Sequence, residues 1–253
     1  MGKIIAFANQ KGGVGKTTSA VNIAASLGIL GYKVLLIDLD PQGNATSGVG
    51  IIKKALKMTA FDMLTTETTA NEVTIKTRFD NLSIIPTNTT LARAEHELAD
   101  VEDGEYVMKK KLEPIKNSYD YIIIDCPPSL GMLAVNAITA SDGVVIPMQC
   151  EFFALEGLSQ LMLTISRIKA HYNKDLTVTG ILITMYNNRL IHSMQVIGEL
   201  RKHYADKLFE TTVSRNVKLS EAPSFGSPVY YHDKRSKGSN EYMNIAKELA
   251  ERI

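Results

Sequence analysis

Residues 11–18 read KGGVGKTT and place three glycines and two lysines between an apolar run and a helical pattern. A glycine-rich turn that opens a helix presents backbone N–H groups and the positive helix end to an anion. In such a turn the Lys16 ammonium would contact the β- and γ-phosphates of a nucleotide, and the Thr17 hydroxyl would bind Mg²⁺. The spacing therefore predicts a phosphate-binding site.

The turn departs by one residue from the pattern G-x-x-x-x-G-K-[ST], because Gln10 occupies the position of the first glycine. The context favours a phosphate site over a chance glycine turn, since a strand pattern precedes it, a helix pattern follows it and GKTT is intact. The residues expected to bind the nucleotide phosphates are Lys11, Gly12, Gly13, Val14, Gly15, Lys16, Thr17 and Thr18.

Two further apolar runs end in acidic residues. LLIDLDPQGNAT carries Asp38 and Asp40, and YIIIDCPP carries Asp125. An acid at the carboxyl end of a parallel strand faces the ligand crevice, where a nucleotide site needs a carboxylate for the Mg²⁺ shell. We therefore expect Thr17, Asp40 and Asp125 to form the metal site. Asp38 and Asp40 could instead be structural carboxylates that cap the next helix, and the sequence leaves this open.

The apolar runs predict an α/β fold because they are short, rich in Ile and Val and nearly continuous, as in a parallel sheet covered on both faces. The predicted strands are residues 3–9, 33–40, 82–87, 121–127, 143–148 and 178–186. Helical patterns lie at residues 17–30, 90–100, 106–119, 155–172, 191–206 and 240–253, with Pro114 expected to kink or interrupt the third. This alternation predicts a single-domain, doubly wound, mainly parallel sheet with helices on both faces.

Composition narrows the class of protein. The chain has 253 residues, 45% of them apolar and 22% charged, which is typical of a globular domain. It contains no uncharged apolar run of about 18 residues, and its start does not resemble a signal peptide. Cys126 and Cys150 cannot form a disulfide framework, which suits a reducing cytoplasm. Residues 43–80 show weak periodicity and many threonines, so we expect a mobile loop with one short helix there.

The net charge of +1 argues against a globally basic nucleic-acid binder, but the charge is unevenly placed. Between Arg201 and Lys237 there are eight basic and four acidic residues, a local excess of four positive charges. Such an excess is compatible with a nucleic-acid surface and equally with an ordinary solvated surface.

The motifs KGGVGKTT, DLDPQGNAT and YDYIIIDCPPS together resemble those of the deviant Walker-A ATPases of the ParA/MinD superfamily. EFFALEGLSQL and RNVKLSEAPSFG narrow the resemblance to the chromosomal ParA (Soj) branch, and it covers essentially the whole chain. The resemblance implies a P-loop NTPase fold, a single ATPase domain over residues 1–253 without an N-terminal helix-turn-helix domain, ATP hydrolysis, and ATP and Mg²⁺ as cofactors.

The resemblance also implies roles for single residues. Lys11 would reach across an ATP-bound homodimer to phosphates held by the other subunit, and a side chain at Gly12 would obstruct that dimer. Asp40 would orient the attacking water, which makes Lys11, Lys16 and Asp40 the expected catalytic residues. Residues 42–47 and 125–129 would be the two switch loops. The adenine would contact Asn187, Arg215 and Asn216, although Ser214 replaces the proline usual before Arg215.

The implied function is chromosome or plasmid partitioning, with the protein located in the cytoplasm on the nucleoid. The ATP-bound dimer would bind double-stranded DNA without sequence preference, and a ParB/Spo0J-type partner would stimulate hydrolysis and release. The expected DNA contacts are Arg189, Arg215 and Lys218: arginine forms a bidentate fork with phosphate, whereas lysine acts as a point charge.

Three other functions remain open at this stage. A MinD-like division-site ATPase would need a basic amphipathic C-terminal helix for membrane binding, whereas NEYMNIAKELAERI has balanced charges and suggests a helix packed on the sheet. A nitrogenase-type iron–sulfur reductase would need two suitably placed cysteines, and Cys126 and Cys150 fit small buried residues better. A bacterial tyrosine kinase would need a C-terminal tyrosine cluster, which is absent from the sequence.

Overall fold

The computed structural model describes residues 2–151 and 154–253. In these ranges seven strands form one sheet: β1 (Lys3–Phe7), β2 (Val34–Asp38), β3 (Ile75–Lys76), β4 (Leu82–Ile85), β5 (Tyr121–Asp125), β6 (Gly143–Gln149) and β7 (Thr177–Thr184). The strand order is β3-β4-β2-β5-β1-β6-β7, and only β3 pairs antiparallel with its neighbour. The predicted doubly wound, mainly parallel sheet is thereby confirmed.

Twelve α-helices connect and cover the strands in the described part of the chain. They are α1 (Lys16–Ile29), α2 (Asn44–Gly48), α3 (Ala60–Thr65), α4 (Ala70–Val73), α5 (Ala94–Ala99), α6 (Val107–Leu112), α7 (Met132–Ala140), α8 (Ala154–His171), α9 (Ile191–Tyr204), α10 (Val217–Glu221), α11 (Val229–His232) and α12 (Lys237–Arg252). Short 3₁₀ helices occur at Lys53–Ala55, Thr89–Arg93, Gly104–Tyr106, Glu113–Ser118 and Ala222–Phe225.

The sheet separates two apolar cores because successive side chains of a strand point to opposite faces. In β1, Ile4 and Ala6 belong to the core that α7, α8 and α9 cover. Ile5 and Phe7 belong to the core that α1 and α12 cover. Burial on both faces explains why the strands appear in the sequence as continuous apolar runs rather than as alternating patterns.

The parallel register brings the ends of the central strands together. Phe7, the last residue of β1, is the register partner of Asp125, and Asp38 at the end of β2 is the partner of Asp125 on the other side. The loops that follow these three strands therefore start side by side at one edge of the sheet, where ligands bind in folds of this class.

The six predicted strands are all present. The observed ends of several strands lie as many as two residues before the predicted ends, and some observed starts differ from the prediction by one residue. The predicted helix at 106–119 is interrupted: α6 ends at Leu112 and a 3₁₀ helix with Pro114 in its first turn follows. This agrees with the effect expected of a proline that cannot donate a backbone hydrogen bond. The patterns did not indicate α7, α10 or α11.

The prediction of a mobile loop with one short helix for residues 43–80 is wrong. The segment contains α2, α3, α4, a 3₁₀ helix and the edge strand β3. Its threonines cap helices: Thr59 forms a capping box with Asp62, and Thr69 forms one with Glu72. Elements this short carry too few turns to show periodicity in a sequence, whereas their capping residues are recognisable.

The C-terminal helix α12 packs on the sheet. Its apolar stripe is buried, with Tyr242, Ile245, Ala246 and Leu249 at 1% exposure or less. Arg252 donates hydrogen bonds to the carbonyls of Thr179 (3.2 Å) and Lys207 (3.4 Å), and its guanidinium lies 4.4 Å from the centre of the Phe209 ring. Among the helices of the described residues, none combines the length and apolar character needed to cross a bilayer.

Replacing Leu249 by alanine should lower the free energy of unfolding by about 2–4 kcal/mol, because the side chain is fully buried and its removal leaves a cavity. The matched control Leu163→Ala, at a leucine of α8 that is 62% exposed, should cost about 0.5 kcal/mol or less. Urea denaturation followed by circular dichroism measures both. Equal stability of the two variants would show that α12 is not part of the core.

Candidate functional site

The glycine turn lies between β1 and α1, as predicted. Gly15 is the N-cap of α1 and adopts φ 84°, and Gly13 adopts φ 73°, both in the left-handed region that favours glycine. Because Gly15 has no side chain to cap the helix, the first N–H groups of α1 face the turn. Backbone donors and the positive end of a 14-residue helix therefore converge on residues 12–18.

Side chains from the neighbouring strands hold this turn in place. The Thr184 hydroxyl donates to the carbonyl of Val14 at 2.8 Å, and the Gln149 amide donates to the carbonyl of Gly13 at 2.7 Å. The Asn9 amide donates to the carbonyl of Pro147 at 2.7 Å. The sequence analysis did not identify Thr184 and Gln149, although each stands at the last position of a strand, where such contacts are expected.

The two lysines of the turn occupy different environments. Lys16 is 7% exposed, and its ammonium donates to the carbonyl of Lys11 at 3.2 Å. Burial lowers the pKa of Lys16, while the carboxylate of Asp125 acts in the opposite direction. The Lys11 side chain is 47% exposed, and its ammonium forms an ion pair with Glu151. Lys16 therefore lies inside the phosphate turn, and Lys11 lies on the surface beside it.

Asp125 is fully buried, and neither of its carboxylate oxygens has a hydrogen-bond partner of standard geometry among the described residues, although a weaker contact with the Thr17 hydroxyl acts to lower its pKa. Burial raises its pKa well above the ordinary value, and the nearby charge of Asp38 adds to this rise. Thr17 and Lys16 act in the opposite direction. A buried carboxylate with unused oxygens is costly unless a cation binds it, so Thr17, Asp40 and Asp125 fit a Mg²⁺ site.

Asp38 has a structural role, which was one of the two interpretations that the sequence allowed. It is completely buried and accepts hydrogen bonds from the backbone N–H and the hydroxyl of Thr46, both at 2.7 Å. Thr46 lies in the first turn of α2, and its hydroxyl in turn accepts from the N–H of Thr87 at 2.9 Å. Burial raises the pKa of Asp38 to about 6 despite these bonds. Asp38 thus anchors α2 to the end of β2.

Asp40 begins the loop between β2 and α2. One of its carboxylate oxygens accepts from the N–H of Gln42 at 3.0 Å, and its carbonyl accepts from the N–H of Gly43 at 2.7 Å. Its charge acts on the pKa of both Lys16 and Asp125, which places the three groups close together. The structure therefore brings Lys16, Thr17, Asp40 and Asp125 to the same edge of the sheet.

A cavity of about 370 Å³ opens beside the start of α1. Of the residues predicted to bind the nucleotide, Gly15, Thr18, Arg215 and Asn216 line it. The sequence analysis missed Met185, Leu219, Pro223 and Tyr242, whose apolar surfaces complete the wall and suit the face of a base. Asn187 is not among the lining residues; its side chain accepts from the N–H of Arg189 at 3.0 Å, so its contact with a base stays a prediction.

Ser214 also lines this cavity, at the position where relatives are expected to have proline. Its N–H donates to the carboxylate of Glu241 at 3.0 Å. Proline has no N–H and could not make this bond. The segment is therefore held by a hydrogen bond to α12, so the missing proline does not leave it unsupported.

Of the predicted DNA contacts, Arg189 and Arg215 are exposed, whereas the Lys218 ammonium forms an ion pair with Glu221 at 2.8 Å. Other lysines of the basic stretch 201–237 are also paired: Lys202 with Glu199, Lys207 with Asp206 and Lys237 with Glu241. Glu199 and Glu241, which lie outside the stretch, reduce its excess of positive charge from four to two. The two arginines are the better candidates for contact with phosphate.

Both cysteines are buried. Burial raises the pKa of the Cys126 thiol far above its ordinary value and that of Cys150 to about 11. Both residues belong to the apolar core that α7, α8 and α9 cover. This burial agrees with the sequence analysis, in which they fit small buried residues better than cluster ligands. Within the described ranges, no group of three or more His, Cys, Asp or Glu residues is placed to hold a metal ion.

Without nucleotide and metal, Asp125→Asn should raise the free energy of unfolding at pH 8 by on the order of 1–3 kcal/mol, because it removes a charge that burial disfavours. The folded parent has pKa values raised above the ordinary 3.8, so its stability should fall as the pH rises from about 4 through those values. The variant should lose part of this dependence. Urea denaturation in EDTA from pH 4 to 8 measures it.

The exposed Asp100 provides the control for this prediction, since Asp100→Asn makes the same chemical change on the surface. That variant should keep the pH dependence of the parent. A lower stability of Asp125→Asn at pH 8 would contradict the assignment of Asp125 as an uncompensated buried acid.

Comparisons with known proteins find relatives along the whole chain. A family described as an AAA domain matches residues 2–178. The sporulation initiation inhibitor protein Soj of Bacillus subtilis (strain 168) is 51% identical over 250 residues, covering 99% of both chains. The chromosome-partitioning ATPase Soj of Treponema pallidum (strain Nichols) is 45% identical over 252 residues, covering 100% of this chain and 98% of the other.

Among solved structures, cobyrinic acid a,c-diamide synthase from Mycobacterium smegmatis with bound ADP and magnesium superposes with a TM-score of 0.87 at 34% identity. The superposition covers 99% of this chain and 94% of that one. The fold is therefore that of a P-loop NTPase. Full-length identity to the Soj proteins, the phosphate turn and the acidic strand ends lead to one conclusion: the chain belongs to the Soj/ParA family of chromosome-partitioning P-loop ATPases.

Proposed function

We propose that this ATPase partitions a chromosome or plasmid by cycling between an ATP-bound homodimer, which binds double-stranded DNA without sequence preference, and a released ADP form. A ParB/Spo0J-type partner would accelerate hydrolysis on the nucleoid. The observation that carries the proposal is the position of Lys11, whose ammonium lies outside its own phosphate turn at 47% exposure.

The location of Lys11 suits a role in a second subunit. Lys16 already supplies a cation within the turn, where its ammonium donates to the carbonyl of Lys11. A second cation on the surface of the turn is available to phosphates that another chain brings to it. In the single chain it pairs with Glu151, and this exposed ion pair costs little to exchange for a phosphate contact. Such a contact links nucleotide occupancy to dimerisation.

The nucleotide would be ATP, as its phosphates fit residues 12–18 and its base fits the 370 Å³ cavity. Thr17, Asp40 and Asp125 would hold Mg²⁺, which neutralises phosphate charge when it is bound. The related synthase contains ADP and magnesium, in agreement with this assignment. Within this chain Lys16 would bind the phosphates, and the Asp40 carboxylate would orient the attacking water.

Asp40 lies in the loop that joins β2 to α2. Its carboxylate is half-buried and bonded to the N–H of Gln42, inside its own loop. A carboxylate held by its own loop is poorly placed to orient water until the loop shifts. Slow intrinsic hydrolysis, accelerated by a partner that moves this loop, follows from that arrangement, as in GTPases that await an activator.

The position of α12 argues against a MinD-like membrane ATPase. A membrane-binding helix must present its apolar face to lipid. The apolar face of α12 is buried against the sheet, and Arg252 bonds its last turn to carbonyls of the 177–208 region. The helix would have to leave the core to bind a membrane.

Lys11→Ala should still bind a non-hydrolysable ATP analogue but remain monomeric, because the cation completing the other subunit's site is gone. Lys16→Ala should lose nucleotide binding itself. Gly12→Val should also stay monomeric without loss of stability, since a Cβ at Gly12 meets no atom of its own chain within 4 Å. Sedimentation velocity with the analogue and with ADP measures the association state.

Gly198→Val is the control for Gly12→Val, because a Cβ at Gly198 also meets open space but lies on α9. It should dimerise as the parent does. Dimerisation of Lys11→Ala or Gly12→Val at the concentration that suffices for the parent would refute the role of the turn in the interface.

DNA binding should require ATP. The logarithm of the association constant K for DNA should fall linearly with the logarithm of the salt concentration, with a slope of about −0.9 for each phosphate neutralised. Arg189→Ala should dimerise normally but bind DNA about tenfold or more weakly, since it removes an exposed arginine–phosphate contact on each subunit. Fluorescence anisotropy with duplexes of unrelated sequence, at several salt concentrations, measures both quantities.

Arg167→Ala on α8 is the matched control, because Arg167 is also exposed and its removal changes the net charge equally. It should leave DNA affinity unchanged. Equal loss in both variants would indicate a general charge effect, and binding without nucleotide would contradict the proposed cycle.

A further inference from the structure

We infer that residues 51–58 (IIKKALKM), here called the lysine segment, form a second contact surface for the DNA backbone, with Lys54 and Lys57 as the contacts. The inference rests on the proposed function and adds a surface to it. The segment has three lysines and no acidic residue. Lys54 and Lys57 are exposed, so their ammonium groups are available to an anionic partner.

The charge of the lysine segment is not neutralised by its neighbours. Lysines of the stretch 201–237 pair with adjacent acids at 2.6–3.7 Å, as described for Lys202, Lys207, Lys218 and Lys237. In the described part of the chain neither Lys54 nor Lys57 forms an ion pair with an acidic side chain. Two unpaired cations three residues apart favour a polyanion more than the paired lysines do.

The lysine segment lies beside the segment that carries Lys218. A Cβ added at Gly226 would lie 2.6 Å from the Cα of Gly50, so the two backbones are in direct contact. Arg78 donates hydrogen bonds to the carbonyls of Phe225 (3.3 Å) and Gly226 (3.1 Å) on the same side. Ile51 packs against the core that contains Ala222. The start of the lysine segment therefore adjoins residues 222–226, which follow the helix that carries Lys218.

The lysine segment is also attached to the first switch loop. The Lys53 ammonium donates to the carbonyl of Gln42 at 2.7 Å, two residues after Asp40. A rearrangement of that loop on nucleotide binding would move the lysine segment with it. Lys53 is thus a positioning residue, and the nucleotide state decides whether Lys54 and Lys57 align with the surface that carries Lys218.

The chemistry of the segment fits the DNA backbone better than a membrane. Lysine ammonium groups neutralise phosphates as point charges and read no bases, as binding without sequence preference requires. Ile52 is 72% exposed and Met58 is 40% exposed, which an anionic lipid surface could also use. However, the segment contains only a three-residue 3₁₀ helix, too short to present an amphipathic face to a bilayer.

The test compares Lys54→Gln/Lys57→Gln with the control Lys33→Gln/Lys174→Gln in the full-length ATP-bound protein. Lys33 and Lys174 are exposed lysines that precede β2 and β7, at the opposite edge of the sheet. The slope of log K against log salt should become shallower in Lys54→Gln/Lys57→Gln, by about 0.9 for each phosphate that the variant no longer neutralises. The DNA affinity of this variant at about 0.1 M salt should fall about tenfold or more. The control should match the parent, and both should hydrolyse ATP at the parent rate.

Lys53→Gln provides a second measurement, because it keeps both contact lysines but removes the bond to Gln42. In this variant, the DNA affinity with ATP should exceed the affinity with ADP by a smaller factor than in the parent. The slope of log K against log salt with ATP should stay that of the parent. A change in salt slope for this variant would contradict its role as a positioning residue.

An unchanged salt slope in Lys54→Gln/Lys57→Gln, with a parent that binds DNA, overturns this inference alone. A parent that does not bind DNA with ATP overturns the proposed function as well. Flotation with vesicles of equal amounts of phosphatidylserine and phosphatidylcholine completes the test. If the parent binds vesicles while Lys54→Gln/Lys57→Gln does not, and DNA affinity is equal in both, the lysine segment binds a membrane and the inference is wrong.

Discussion

Two buried carboxylates, Asp38 and Asp125, are register partners at the ends of neighbouring strands, and the properties of the site depend on their proximity. Thr46 stabilises Asp38 by two hydrogen bonds, whereas Asp125 has none of standard geometry among the described residues. The resulting excess of negative charge is compensated only partly by the Lys16 ammonium, whose own pKa is lowered by burial. In the proposed function, Asp125 would hold a metal ion that compensates its charge, and the turn with Lys16 would bind the phosphates. Ligand binding and stability are therefore linked.

The same arrangement connects the nucleotide site to distant surfaces. Asp38 holds α2 through Thr46, and Thr46 in turn bonds to the backbone of Thr87. The loop between them begins with Asp40, and Lys53 bonds to its Gln42 carbonyl. Beyond α2, Gly50 contacts Gly226 in the segment that follows Lys218. A continuous series of contacts thus runs from the metal site to the proposed DNA surface, and each contact has a defined geometry that a conformational change can alter.

The two lysines of the turn occupy different environments, and the proposed dimer depends on this difference. Lys16 is buried in the turn, while Lys11 is held at the surface by Glu151. The two positions differ because Lys16 begins α1 and follows the part of the turn that Thr184 and Gln149 hold, whereas Lys11 precedes the glycines. The packing of α12 adds a second distinction, because an apolar face committed to the core is not available to lipid.

The class of fold, the glycine turn and the acidic strand ends could be predicted from the amino-acid sequence, because they depend on local patterns: continuous apolar runs, a glycine turn before a helix, and acids that end strands. The sequence left open whether Asp38 is structural, since an acid at the end of an apolar run fits either role, and only the tertiary contacts with Thr46 show that it anchors α2. Residues 43–80 were mispredicted because capping, rather than periodicity, defines such short elements. The hydrogen bond from Thr184 to the turn and the contact of Gly50 with Gly226 join residues far apart in the sequence, and the ion pairs of the basic stretch depend on side-chain placement. Local sequence patterns carry no information on such contacts, which exist only once the chain is packed.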